Sequence, residues 1–150
     1  MSDKEAYIKG WIKKVSKQRP ELGNFSICPF ASKSKTLIIE CSMNDIVPQN
    51  GYDVVIFILN DDLSLEVIKK KVKECNIKYN NYKFFEDTAQ KDTFINGVQT
   101  NNGRYNLILC QPTEKLAKFR KKLLETNYYN HWDDDYLREI LQEDYHLLKK

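Results

Sequence analysis

The chain predicts an α/β (α+β) fold, a single compact domain with a mixed four- or five-stranded sheet packed by about four helices. Val54-Val55-Ile56-Phe57-Ile58-Leu59 is an unbroken apolar run, as in a central strand buried on both faces. Shorter β-branched or aromatic runs lie on either side of it. Between these runs apolar residues recur at helical spacing, so strands and helices alternate along the chain.

Ile8, Trp11, Ile12 and Val15 share one helical face while Lys9, Lys13, Lys14 and Lys17 take the other, which predicts an amphipathic helix over residues 4–17 that stops before Pro20. The stretch Asn24 to Ala31 then joins a thiol, a rigid proline and apolar anchors. Pro29 fixes its own φ and biases Cys28 toward an extended conformation, so the thiol has few directions open to it. Phe25, Ile27 and Phe30 can each bury against the domain, at roughly 1.5–3 kcal/mol apiece, and hold the loop from both sides.

Thr36 to Cys41 reads as a short strand, and Ser42 to Gly51, with Pro48, Asn50 and Gly51, as a connection. After the central run, Asn60-Asp61-Asp62 offers an N-cap for a helix burying Leu65, Ile68, Val72 and Cys75. Lys69 to Lys71 and Lys73 lie toward its C-terminal half, where the dipole favours them. Tyr82, Phe84 and Phe85 suggest a strand returning parallel to the central one through a right-handed crossover. Residues 93–100 and 104–110 flank Asn101-Asn102-Gly103, which predicts a hairpin turn there. Pro112 and Thr113 open a helix with Leu116, Phe119, Leu123 and Leu124 inward. Asp133-Asp134-Asp135 caps a last one carrying Leu137, Ile140, Leu141 and Leu148.

Composition bounds the function. At 150 residues the chain is long enough for one core, and no stretch of eighteen apolar residues suggests a membrane span. The start, Met1 to Glu5, is charged and unlike a secretory signal, so a cytoplasmic location is expected. Cys28, Cys41, Cys75 and Cys110 are scattered without a Cys-x-x-Cys pair and read as reduced thiols. Abundant lysine, asparagine, isoleucine and tyrosine would suit an AT-rich genome, bacterial or phage. The net charge of +3 and a pI near 8.5 fall short of a nucleic-acid footprint, so any such binding is expected to be weak and nonspecific. The five glycines are dispersed and make no phosphate loop.

Three groups of residues are candidates for function. Cys28 is either a small buried hydrophobe or a catalytic thiol, with Lys33 and Lys35 close enough to favour the thiolate. Ligands of open sheets with parallel strands bind beyond the strands' carboxyl ends, which nominates Cys41, Ser42, Asn60, Asp61, Cys110 and Gln111 if those ends share one edge. Alternatively Asp61 is a helix cap and the cysteines are core. Tyr128, Tyr129, His131 and Trp132 form an aromatic patch that is either a partner surface or a loop folded over the core. The aspartates after Trp132 have a capping role and no metal geometry, and neither His131 nor His146 stands in a motif that would pair with Cys28. Neither a metal nor a cofactor is expected.

Cys28-Pro29-Phe30-Ala31, after a helix carrying Trp11, resembles the Gly-Leu-x-Leu-Cys-Pro-Phe-Ala signature of a small bacterial family of unknown function. The likeness spans residues 8–31, with Asn24 standing where the signature has glycine. It implies a role for Cys28 beyond packing and supplies no reaction. The expected function is a small binding or accessory module for a protein or small-molecule partner. The alternatives are a thiol-dependent enzyme using Cys28 and a weak nucleic-acid binder. Oligomeric state is not encoded in any of these features.

Overall fold

The computed structural model describes residues 2–141. Four strands form a mixed sheet in the order β1 (Thr36–Cys41), β2 (Val54–Leu59), β6 (Leu107–Pro112) and β3 (Tyr82–Asp87). Four helices accompany it, α1 (Asp3–Val15), α2 (Leu65–Lys78), α3 (Thr113–Leu124) and α4 (Asp134–Leu141). A separate two-stranded ribbon joins β4 (Phe94–Ile95) to β5 (Val98–Gln99). This is the expected α+β domain, with four strands in the main sheet. No helix among the described residues is long and apolar enough to cross a membrane.

β1 and β2 run parallel, and β6 runs antiparallel to both β2 and β3. β3 therefore points the same way as β2, as expected of a crossover through α2, but β6 lies between them. The alternation of side chains along β2 separates two cores. Val55, Phe57 and Leu59 face α2 together with Ile68, Val72, Cys75, Phe84, Ile108 and Cys110. Ile56 and Ile58 face the other way with Leu107, and Ile8 of α1 packs on them with no exposed surface. Both faces of β2 are thus covered, which is why its sequence shows no polar alternation. A third apolar cluster joins Tyr128, Tyr129, Leu137 and Leu141 with Phe25, Leu123, Leu124 and Trp132.

Local chemistry sets the boundaries. Ser2 caps α1 through the Glu5 N–H, and Ser64 caps α2 through the Val67 N–H. The expected cap Asp61 instead accepts the Met43 N–H at 2.9 Å, fixing the 3-10 turn Met43–Asp45 that follows β1. Gly23 and Asn24 both take left-handed φ, +63° and +67°, so the chain doubles back and Arg19 pairs with Phe25. Asp53 accepts the Lys35 N–H and the Lys115 ammonium, tying the start of β2 to α3; these bonds hold its carboxyl below the usual range.

The hairpin is a correction. Its turn is Asn96-Gly97, both with positive φ of +51° and +83°, as a two-residue hairpin loop requires. Asn101-Asn102-Gly103 is a loop built on buried amide side chains, and β6 begins only at Leu107. Leu148 and His146, and the side chain of His131, lie outside the described residues.

Candidate functional site

The loop around Cys28 is held from several sides. The Cys28 N–H donates to the Val15 carbonyl at the end of α1, at 2.9 Å. Phe30 stacks on Phe119 of α3 with ring centroids 4.6 Å apart, and Phe25 meets the edge of Tyr128 at 5.6 Å. The Tyr128 hydroxyl donates to the Ile27 carbonyl. Phe25 and Phe30 therefore anchor the loop through their rings, as expected, whereas Ile27 is held through its backbone carbonyl.

Behind this loop lies a cavity of about 280 Å³. Its floor is the α1-side face of the sheet, with Val54, Ile56, Leu109, Gln111, Phe85 and Asp87. Its walls come from α1, α3, the Cys28 loop and the segment from Tyr128 to Ile140. Aromatic rings dominate that wall. Tyr128, Tyr129, Trp132 and Tyr136 interlock at centroid distances of 4.8–5.5 Å, mostly edge to face.

A few polar groups interrupt the apolar lining. Asp87 ends β3, and one of its oxygens, Oδ1, accepts both the backbone N–H and the side-chain amide of Asn102, at 2.8 and 2.6 Å. Burial raises its carboxyl to about 6, with the Asn102 hydrogen bonds opposing the rise and the charge of Glu86 adding to it. The Tyr136 hydroxyl meets the Thr100 hydroxyl at 3.2 Å, while the Thr100 carbonyl accepts the Trp11 indole N–H, also at 3.2 Å. Burial holds Tyr136 above its ordinary range, partly offset by hydrogen bonds from Thr100 and Thr93. Arg120 is only 5% exposed; its guanidinium donates to the carbonyls of Ile140 and Leu141 and lies over the Phe85 ring at 5.8 Å.

Cys28 opens onto this cavity, and its residue surface is exposed. Even so, burial among surrounding protein atoms pushes the thiol up, and the N–H groups of Phe30 and Ala31 recover only part of that. The residue thus keeps solvent-accessible surface while protein atoms crowd around its sulfur, and the crowding sets the direction of the shift. The direction is opposite to the one expected from Lys33 and Lys35. Desolvation outweighs two exposed lysines whose ammonium groups solvent can screen.

The strand-end residues divide. Cys41 with Ser42 and Asn60 with Asp61 do share an edge, because β1 and β2 are parallel, and Asn60 N–H donates to the Cys41 carbonyl. Cys110 and Gln111 do not join them, because antiparallel β6 sets Cys110 opposite Val55 at the start of β2. The idea of a thiol-lined cleft fails for a second reason. Cys41, Cys75 and Cys110 pack on the α2 side of the sheet, and Cys28 lies on the other. Burial raises all three of these thiols, Cys110 to about 12. Of the strand-end candidates only Gln111 reaches the cavity.

Tyr128 and Tyr129 are 3% and 7% exposed, so they make no partner surface with Trp132. Their segment folds over the core, as its packing against Leu137 and Leu141 requires. Among the described residues no group of three or more His, Cys, Asp or Glu side chains could hold a metal ion.

Sequence reasoning missed Asp87, Arg120, Thr100 and Tyr136. One signal was available for Asp87. It lies two residues beyond Phe85, hence on the same face of β3, and at the carboxyl end of a strand parallel to β1 and β2. The strand-end rule thus points to the cavity through a residue it was not applied to. No protein-family model matches this chain, and no curated protein or solved structure is significantly similar to it.

Proposed function

We propose that this protein is a small-molecule binding module whose site is the cavity between the sheet and the Cys28 loop. One observation carries the reading: a largely apolar space of about 280 Å³ is lined by a minority of polar groups, Asp87, Thr100, Gln111 and Tyr136 among them. Close packing is the norm in protein interiors, and voids beyond the size of a few waters are scarce; ligand sites combine apolar walls with a few placed polar groups. Four free cysteines in unpaired positions support action in a reducing compartment such as the cytoplasm.

Both tryptophans of the chain, Trp11 and Trp132, line the cavity, so their fluorescence reads its occupancy. Titration with a small apolar aromatic should give saturable one-to-one quenching and raise the melting temperature. Ala31→Phe, which places a ring in the same space, should abolish both effects while the protein stays folded. Unchanged fluorescence in the parent protein up to the solubility limit of the probe would refute the proposal.

Thiol chemistry is the second reading, favoured by the way Cys28 opens onto the same cavity. A thiol raised by burial is mainly protonated at neutral pH, so it would serve only an electrophile bound beside it. Rapid, saturable alkylation of Cys28 by a cavity-sized electrophile, blocked by the apolar probe, would favour this reading over plain binding.

A further inference from the structure

We infer that the ligand is an organic cation with an apolar body, an alkyl- or arylammonium whose charge lies among the aromatic rings beside Asp87. The inference rests on the cavity being a binding site and specifies what it takes. Three observations lead to it.

First, the wall beside Asp87 is aromatic. Trp132 and Tyr136 lie with centroids 5.2 Å apart, Tyr128 and Tyr129 continue that surface, and Trp11 and Phe85 border the same space. Ring faces carry negative potential and attract an ammonium group once it is desolvated. Second, Asp87 brings a carboxylate into this apolar setting with one oxygen still available. Both Asn102 bonds fall on Oδ1, and Oδ2 has no hydrogen-bond partner among the described residues. Asp87 is half-buried, and a carboxylate drawn partly out of water without a cation is costly; a ligand ammonium would supply one. Third, the cation already present is committed elsewhere. Among the described residues Arg120 is the one basic side chain lining the cavity, and its guanidinium faces the carbonyls of Ile140 and Leu141 across the Phe85 ring.

The charged and titratable groups around Asp87 determine the pH behaviour. Glu86 neighbours it on β3, Tyr136 and Glu139 approach from α4, and Lys69 of α2 and Lys91 border the adjoining smaller cavity that Asp87 also lines. Tyr136 stays neutral through the working range, because burial raises it. Asp87 is then the group that changes charge between pH 5 and 7, its carboxyl lying at about 6. Cation binding should strengthen as pH rises through that value.

The test compares benzyltrimethylammonium with its uncharged isostere neopentylbenzene and with the anion phenylacetate, followed by tryptophan fluorescence. At pH 8 the cation should bind about tenfold or more tightly than the isostere, and phenylacetate weakest of the three. The preference for the cation should shrink several-fold at pH 5, whereas neopentylbenzene should bind equally at both pH values. Asp87→Asn should remove most of the preference at pH 8, with a cooperative urea transition showing that the fold is kept. If neopentylbenzene binds as tightly as the cation, or the preference survives in Asp87→Asn, the cation assignment is overturned and the cavity reading stands. If neopentylbenzene does not bind either, both readings fall.

Discussion

Asp87→Asn should stabilise the protein at neutral pH. The wild-type carboxyl is held at about 6 in the folded state against 3.8 for the unperturbed group. Between those values the folded chain keeps a proton that the unfolded chain has lost, so stability falls as pH rises from about 4 to 6. At about 1.36 kcal/mol for each pH unit of difference, the full penalty is roughly 3 kcal/mol and is in place by pH 7. An asparagine has no charge to desolvate and can still accept from Asn102. The wild type at low pH is likewise neutral there, and the strength of the carboxylate's bonds to Asn102 is already counted in a carboxyl lying at about 6. The variant should therefore gain roughly 3 kcal/mol at pH 8 and under about 1 kcal/mol at pH 4. Urea denaturation of both proteins across this range isolates the effect, because every other acid titrates in both and cancels in the difference. A difference that is flat with pH, or an asparagine variant less stable at pH 8, would refute the reasoning about burial.

Three further outcomes follow from the same structure. Asn102→Ala removes an amide that donates to Asp87 and the Tyr105 carbonyl and accepts from the N–H groups of Arg104 and Tyr105; at about 0.5–1.5 kcal/mol per bond it should cost roughly 2–6 kcal/mol, measured as a lower urea midpoint. Native Cys28 should label with a small alkylating agent before Cys75 and Cys110, which are 3% and 1% exposed, and its rate should rise about tenfold per pH unit near neutrality; simultaneous labelling of all three would show that the cavity is closed to solvent. Gly97→Ala meets no neighbouring atom but must hold a φ of +83°, so it should cost about 1–2 kcal/mol by thermal melting, and a neutral result would mean that the Asn96-Gly97 turn is not formed in solution.

The elements carried by strong periodicity were readable in the sequence. Val54 to Leu59 announces a strand buried on both faces, and the Ile68, Val72 and Cys75 spacing announces α2, because each pattern reflects the neighbours the element must bury against. The stretch from 93 to 110 was misread because two Asn-Gly pairs compete there and local chemistry fits either. The choice is made at a distance: the Asn102 side chain is claimed by Asp87 fifteen residues earlier, leaving Asn96-Gly97 to turn the ribbon. The site divides in the same way. The Cys28 loop is visible as local sequence, a proline between aromatic anchors. The groups across from it were not, since Asp87 at a strand end and Arg120 in a lysine-rich helix look like solvated charges until the sheet order and α4 bury them. The aromatic segment was legible as a patch, but its facing inward depends on Leu137 and Leu141, which only the fold brings beneath it.

The position of β6 bears on how the molecule is made. β2, α2 and β3 form a continuous unit of the chain, yet the two strands never touch, and the slot between them is one strand wide, about 10 Å across. As the chain emerges from the ribosome, β2 is paired on one edge only and β3 on neither until residues 107–112 arrive. The last strand is thus a centrepiece inserted after its flanks, and the nascent chain must hold Ile56, Phe57, Phe84 and Phe85 with open backbone edges in the meantime. Such a state invites pairing with other chains. A fragment ending at residue 106 should therefore aggregate even though it contains three of the four main strands, α1 and α2; adding the synthetic 107–112 segment in trans should suppress that aggregation.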